Sequence, residues 1–240
     1  MSEAIVVGAG PNGLACAATL AGKGVAVTVI EAGETIGGGT RSAELTLPGL
    51  IHDECSAVHS ASVGAPSMTS LGLERHGLEW AWPEVDLAHP LDDGGGGALL
   101  RSIADTVAGL GADGPAWMRT FGASSAHFDA LAEDVMRPIL HLPRHPLSLA
   151  RFGLLSLPAA TLLARRFDTE EGRALLGGVA AHSFSPLTQP LTSAAAMLLI
   201  CSCHRYGWPV AKGGSQAIAD ALAAVILESG GKIETGRTVR

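Results

Sequence analysis

The residues best suited to do chemistry form a glycine-rich cluster near the N-terminus. Gly8, Gly10 and Gly13 follow a short apolar run with the spacing G-x-G-x-x-G. In this pattern the first glycine permits a sharp turn, the second lets backbone N–H groups approach a pyrophosphate, and the third lets a helix pack closely on a strand. The N-terminus of that helix faces the phosphates with its partial positive charge. The spacing therefore predicts a dinucleotide-binding turn that includes Pro11 and Asn12.

A carboxylate follows this turn at a suitable distance. Glu31 comes directly after the apolar run 25–30, where an acid accepts a hydrogen bond from a ribose 2′-hydroxyl. A carboxylate at this place also repels a 2′-phosphate, so the pattern disfavours NADP. Ala32, the next residue, belongs to the same predicted site.

The residues after Glu31 bear on the choice between NAD and FAD. Gly37, Gly38 and Gly39 lead to Arg41, and this pattern resembles the extended fingerprint of flavoproteins of the glutathione-reductase-like and amine-oxidase-like superfamily. Glycines let the backbone pass close to the dinucleotide, and Arg41 can pair with its phosphate charge. We therefore expect FAD; the alternative for Arg41 is a solvated loop residue.

The elements that must position these residues can be predicted from the hydrophobic pattern. Two apolar runs, 4–7 and 25–30, flank a helical pattern and so predict one βαβ unit. Further strands are expected at 44–47, 50–53 and 232–235, with a hairpin within 78–100 that turns at 92–94 and the start of a strand at 238–240. Helices are expected at 102–110, 115–137, 147–166, 169–181 and 192–205, and between the glycine pairs 213–214 and 230–231.

Composition limits the class of protein. With 240 residues, 47% hydrophobic and 16% charged, the chain is globular and holds one large or two small domains. It has 16 Lys and Arg against 23 Asp and Glu, which argues against a nucleic-acid partner. We find no signal peptide, and the apolar stretch 191–203 is too short to span a bilayer and reads as a buried helix. Four cysteines without zinc spacing favour a reduced, cytoplasmic protein.

Several stretches beyond the fingerprint resemble one family. Residues 40–59, 89–100 and 208–239, with the helical middle, are similar to the phytoene-desaturase-like (carotenoid-desaturase-related) family of FAD-dependent oxidoreductases. The resemblance covers nearly the whole chain in the family's order. It implies an α/β fold in which a Rossmann-like FAD-binding domain carries a mostly helical inserted substrate domain.

The resemblance also implies boundaries and an activity. The FAD-binding domain would comprise residues 1–67 and 209–240, and the helical substrate domain residues 68–208. The reaction would be dehydrogenation of a small apolar substrate by hydride transfer to the flavin, with electrons passed to oxygen, a quinone or another acceptor. By the same comparison, the backbone of Val239 would recognise adenine; the alternative is an ordinary strand residue.

The chain departs from this family at its C-terminal end. Family members continue with the rest of the substrate sheet and a Gly-Asp segment at the flavin, so we expect this chain to be the N-terminal portion, with the C-terminal part of the fold absent. The adenosine half of FAD would then have its binding elements and the flavin half would not. The first strand would also lack a neighbour on one side, which promotes aggregation.

Other functions and residues remain open. An amine-oxidase-like flavoenzyme shares the fingerprint, and a non-catalytic nucleotide-binding fragment is a third hypothesis. We name no catalytic residue: Asp53 and His59 lie in a loop that could approach the flavin ring, but each is better explained as structural. We expect no metal, because Pro143 interrupts the helical spacing of His141 and His145 and no acid lies nearby.

A basic segment stands out in this acidic chain. Residues 135–167 contain five arginines and no acid, interleaved with leucines, in a protein of net charge -7. Such a segment could lie peripherally on a membrane and attract anionic lipid. The alternative is a pair of amphipathic helices whose arginines face water. The arginines are Arg137, Arg144, Arg151, Arg165 and Arg166.

Overall fold

The computed structural model describes residues 2–138 and 140–240, and of Ser67 the backbone alone. The strands are β1 (Glu3–Val7), β2 (Ala26–Ile30), β3 (Ser42–Glu44), β4 (Ile51–Asp53), β5 (Trp80–Ala81), β6 (Leu87–Pro90), β7 (Gly96–Leu99), β8 (Val210–Ala211) and β9 (Lys232–Glu234). The α-helices are α1 (Pro11–Ala21), α2 (Pro66–Thr69), α3 (Ile103–Gly109), α4 (Gly114–Ala126), α5 (Phe128–Val135), α6 (Pro146–Ser156), α7 (Ala160–Leu163), α8 (Glu170–Ala180), α9 (Thr192–Tyr206) and α10 (Gln216–Glu228).

The chain divides into two compact units. Unit 1 combines Met1–Trp82 with Pro209–Arg240, and unit 2 is Pro83–Trp208. The sequence analysis placed the first boundary after residue 67. The structure places it after Trp82, because Leu73 and Leu78 are buried in the core of unit 1. The second boundary falls between residues 208 and 209 in the prediction and in the structure alike.

Unit 1 is built on a parallel sheet in the order β1-β2-β9. Ala4 pairs with Val27 and Thr28 with Lys232, so the carboxyl ends of the strands lie at one edge of the sheet. Helices α1 and α10 pack together on one face of it. Small residues such as Ala17 and Ala18 on α1 are fully buried, which lets the two helices approach closely.

Two features of this sheet bear on the predictions. The predicted βαβ unit is present as β1, α1 and β2, and β1 lies at one edge of the sheet in the described chain, with Ile5 and Val7 68% and 63% exposed. The predicted strand at 238–240 is wrong, since these residues have no regular structure. Instead, the chain after β9 is bonded beside the end of β2. The amide of Gly236 donates to the carbonyl of Gly33, and the amide of Arg237 donates to the carbonyl of Glu31.

Unit 2 is mostly helical. Its core is formed around α9 by large apolar side chains, among them Trp117, Phe121, Phe167, Leu175 and Ile200. The predicted hairpin is present as β6 and β7, joined by residues 91–95. Cys201 and Cys203 on α9 are buried free thiols, as expected of small residues in a buried helix.

Two predicted helices of unit 2 are each divided in the structure. The predicted helix 115–137 is α4 and α5, separated at His127. The predicted helix 147–166 is broken after α6, at Pro158, which has no N–H to continue the helical hydrogen bonding.

The described helices are short relative to the roughly 20 residues that span a bilayer core. None of them alone is long and apolar enough to cross a membrane; α6 and Ala160–Arg166, bent by 96°, reach that length and composition only as a pair.

Candidate dinucleotide-binding site

The turn after β1 has the geometry that the first glycine motif predicts. Gly8 has a φ of +97°, a conformation that side chains rarely adopt, and its amide donates to the carbonyl of Ile30. A Cβ at Gly13 would overlap the carbonyl oxygen of Gly8. Glycine is therefore required at both positions by the protein's own backbone.

The N-terminus of α1 is open to a ligand. Gly10 is the N-cap residue and offers no side chain to the helix, and Pro11 at the first position has no N–H. The amides of Asn12 and Gly13 are thus the first donors of a helix end that carries partial positive charge. A Cβ at Gly10 would meet no atom within 4 Å. The space in front of the helix suits a diphosphate.

Glu31 is held in position by the backbone on either side of it. The amide of Gly33 donates to Oε1 at 2.8 Å and the amide of Ala9 donates to Oε2 at 2.7 Å. The bonds from Gly33 and Ala9 lower the pKa of Glu31, so the carboxylate is ionised at neutral pH. A fixed carboxylate at the end of β2 can accept hydrogen bonds from a ribose. Ala32 beside it is exposed.

The second glycine cluster packs directly on the first. The amide of Gly37, whose φ is +114°, donates to the carbonyl of Ala9 at 2.8 Å. Gly38 has a φ of +53°, and a Cβ there would lie 3.0 Å from the Cα of Gly10. Gly39 is exposed. Two glycine loops that are distant in the sequence therefore form one surface at the end of α1.

Arg41 lies beside this surface with a buried donor that has no partner in the described chain. Its Nη2 donates to the carbonyl of Thr35 at 2.8 Å and lies 3.8 Å from Oε1 of Glu31. Its Nε is buried and, within the described chain, has no hydrogen-bond partner. A buried N–H without a partner is costly, and a phosphate or ribose oxygen would satisfy it.

A cavity of about 590 Å³ opens beside Arg41. This volume lies in the range of small-molecule sites. The lining includes Glu34, Thr35, Ile36, Arg41, Ser42, Gln216 and Thr235. Val239 is 49% exposed in an irregular segment; of the residues that follow β9, Thr235 lines the cavity.

The sequence analysis did not single out Gln216 or Thr235 for this site. Gln216 follows the glycine pair 213–214 and begins α10, and that position was the available signal. Its carboxamide would lie 2.8 Å from a Cβ on Gly37, so it contacts the second glycine loop.

Asp53 and His59 both form hydrogen bonds at the start of α10. Oδ1 of Asp53 accepts from the amide of Ser215 at 2.6 Å and from the hydroxyl of Ser42 at 2.6 Å. Nε2 of His59 lies 2.8 Å from Oγ of Ser215, and burial lowers the pKa of His59. Both side chains thus hydrogen-bond Ser215, the residue that precedes α10.

The neighbourhood of His141 and His145 contains acids that the sequence analysis overlooked. Oδ1 of Asp134 lies 3.4 Å from Nε2 of His141, and Asp134 accepts from the amides of Arg144 and His145 at 2.8 Å each. The expectation of no nearby acid was therefore wrong. This carboxylate binds backbone donors, which gives it a structural role.

The fold and this site define a Rossmann-like dinucleotide-binding domain. Residues 6–70 match the family model described as "NAD(P)-binding Rossmann-like domain", a match that includes both glycine loops, Glu31 and Arg41.

Solved structures with this fold include oxidoreductases. A putrescine oxidase variant is 22% identical, with a TM-score of 0.59, over 100% of this chain and 51% of its own. An oxidoreductase from Methanosarcina mazei is 19% identical, with a TM-score of 0.58, and the match covers 98% of this chain and 51% of that one. A Rab GDI from Plasmodium falciparum is 13% identical, with a TM-score of 0.53, and the match covers 100% of this chain and 58% of that one. The chain thus spans about half the length of the structures it matches.

Proposed function

We propose that this chain is part of an FAD-dependent oxidoreductase that dehydrogenates a small apolar substrate. The proposal rests first on the contact between the two glycine loops. A Cβ on Gly38 would lie only 3.0 Å from the Cα of Gly10, whereas a Cβ on Gly10 would meet no atom within 4 Å. Such a surface accommodates an extended adenine dinucleotide.

The residues around this surface suit the ADP half of FAD. The amides of Asn12 and Gly13 would bind the diphosphate, the ionised Glu31 would bind the ribose, and the unpaired Nε of Arg41 would donate to an oxygen of the ligand. Bound FAD would supply the electron acceptor for hydride removal from the substrate. The protein's part in this half of the site is to bind and orient the cofactor.

Binding of ADP, FAD, NAD and NADP, measured by calorimetry, tests the cofactor assignment. We expect ADP and FAD to bind. NADP should bind at least tenfold more weakly than ADP, because Glu31 repels a 2′-phosphate. Glu31→Gln should weaken ADP binding at least tenfold, because a neutral amide replaces the carboxylate. Glu3→Gln, at the opposite end of β1 from the turn, is the control and should bind as wild type. No heat with any adenine nucleotide would overturn the proposal.

The amine-oxidase-like hypothesis is supported by the likeness to putrescine oxidase. Both flavoenzyme hypotheses require FAD, so they differ in substrate. Anaerobic addition of an aliphatic diamine or of an apolar polyene to FAD-loaded protein separates them. Bleaching of the flavin by the diamine alone would favour the amine oxidase.

The third hypothesis is a non-catalytic nucleotide-binding fragment. Tight ADP binding with no gain for FAD would indicate half a site, and no binding of either nucleotide would indicate a remnant without this function.

A further inference from the structure

Unit 2 exposes a group of leucines that a folded core would normally bury. Leu140, Leu142 and Leu147 are 95%, 91% and 86% exposed, and Leu154 is 73% exposed. Met136, Leu157 and Leu162 in the same stretch are more than half exposed. We call these seven residues the leucine surface. These seven residues fall within 27 positions of the sequence, and large exposed apolar patches mark interaction surfaces.

The leucine surface includes an outward face of α6. This helix already buries Phe152 in the core of unit 2, with Leu149 and Leu155 packed against that core. Its opposite face nevertheless carries Leu147 and Leu154, spaced seven residues apart. Apolar side chains on two opposite faces of a helix are ordinarily covered on both sides, whereas Leu147 and Leu154 on the outer face of α6 stay exposed in the described chain.

The loop before α6 is held so that its leucines point outward. Asp134 is buried and accepts hydrogen bonds from the amides of Arg144 and His145. Nδ1 of His141 donates to the carbonyl of Pro138 at 2.7 Å. These bonds fix the backbone on either side of Leu142.

Arginines accompany the leucines. Arg151 lies between Leu147 and Leu154 on the outer face of α6, and Arg165 and Arg166 are exposed after α7. Arg144 is exposed and pairs with Glu133 at 3.0 Å. No ion pair to an acid is formed by Arg151, Arg165 or Arg166 among the described residues.

A small cavity lies at the margin of the leucine surface. It has a volume of about 250 Å³, and its lining combines the apolar Ala123, Leu131 and Leu147 with the polar Ser124, His127, Ser148 and Arg151. Hydroxyls, an imidazole and a guanidinium are donors suited to a phosphate group. The cavity therefore adds a place for a phosphate beside the apolar contact.

We propose that this face of unit 2 docks on a membrane surface of anionic phospholipid, with the leucine surface in the acyl boundary and the arginines at the headgroup phosphates. Charge favours this occupant over a second copy of the chain, because a symmetric pairing of this face would bring like-charged arginines together. The proposal concerns unit 2 and is independent of the nucleotide site.

Co-sedimentation of the 240-residue chain with vesicles tests this proposal. Vesicles of phosphatidylcholine with one third phosphatidylglycerol should bind the protein, and vesicles of phosphatidylcholine alone should bind it at least tenfold more weakly. Leu140→Ser with Leu142→Ser should reduce the bound fraction at least tenfold without lowering Tm, because both side chains are over nine-tenths exposed. Arg151→Glu should reduce it about fivefold or more.

Matched controls lie in unit 1. Leu45→Ser with Leu47→Ser removes two exposed leucines, and Arg75→Glu reverses one exposed charge; both variants should sediment as wild type. Absence of binding to anionic vesicles at low salt overturns the proposal, as does equal binding by the Leu140 and Leu142 variant. A dimer that this double variant dissociates would assign the surface to a second copy. Inorganic phosphate that abolishes vesicle binding at millimolar concentration would show a free-anion site and also overturn the proposal.

Discussion

Glycine serves two different purposes within the first motif. At Gly13 the backbone of Gly8 leaves no room for a side chain, whereas at Gly10 the same addition meets open space. The φ of Gly10 is -74°, which any residue can adopt. The fold therefore needs Gly13, whereas the proposed diphosphate would need the open space in front of Gly10.

Alanine substitutions should separate these two purposes. We expect Gly13→Ala to lower the free energy of unfolding by more than roughly 2 kcal/mol, because the methyl group must displace backbone. Gly10→Ala should change it by less than about 1 kcal/mol and weaken ADP binding at least tenfold. Thermal unfolding and calorimetry measure the two effects. Equal affinity of Gly10→Ala and wild type for ADP would contradict a diphosphate in this space.

A second residue of interest is the part-buried His204 of unit 2. Nε2 of its ring accepts from the indole of Trp117 at 3.0 Å, and Nδ1 donates to the carbonyl of Leu100 at 3.0 Å. Burial lowers the pKa of His204 to about 4. The folded protein thus holds the imidazole neutral, whereas the unfolded chain takes up a proton below pH 6.5.

Acid should therefore destabilise the protein through His204. The contribution of His204 to the free energy of unfolding is fully present above pH 6.5 and is lost as the pH falls from 6.5 toward 4. The total loss is about 3 kcal/mol. Denaturant unfolding across this range, with His204→Gln as comparison, measures it. The variant should show a shallower slope with pH; parallel slopes for the two proteins would refute the assignment.

At the scale of the element, β1 combines an edge position with an exposed face. It pairs with β2 alone in the described chain, and Ile5 and Val7 point away from the packed helices. Unpaired strand edges with apolar side chains pair readily with other chains.

Replacement of these side chains should reduce self-association. We expect Ile5→Thr with Val7→Thr to lower the fraction of high-mass species several-fold, with a stability change within roughly 1 kcal/mol, because threonine keeps strand propensity. Light scattering after size-exclusion chromatography measures this. Val239→Thr, an exposed valine outside the sheet, is the control. A wild-type chain that stays monomeric at high concentration would contradict the prediction.

At the scale of the whole molecule, each unit has its own apolar core. The core of unit 1 includes Leu14, Val29 and Leu222, and that of unit 2 includes Trp117 and Ile200. The proposed nucleotide site uses residues of unit 1 only. Ligand binding should therefore stabilise unit 1 against unfolding and leave the stability of unit 2 unchanged.

Calorimetric unfolding should resolve this coupling. We expect two transitions. ADP should raise the midpoint temperature of only one of them, by an amount that corresponds to about 2.7 kcal/mol of added free energy of unfolding at a hundredfold excess over Kd. Gly13→Ala should lower the same transition, and His204→Gln should alter the other one. A single transition that ADP shifts as a whole would contradict independent units.

Local patterns in the sequence predicted most of the elements but few of the long-range contacts. The glycine spacing and the apolar runs predicted β1, α1 and β2 because turn sterics and burial act within a few residues. The break at His127 had no proline or glycine to signal it. The bond between His59 and Ser215 joins residues 156 positions apart, and only the packed fold brings them together.

The two backbone bonds to Glu31 have a consequence for how fast a nucleotide is captured. The carboxylate, the turn of Ala9 and the turn of Gly33 are already locked to one another before any ligand arrives. Little ordering of the loops remains to be done during the encounter. Capture should then proceed at a rate set by diffusion and charge, and differences in affinity among related nucleotides should arise in how long each one stays.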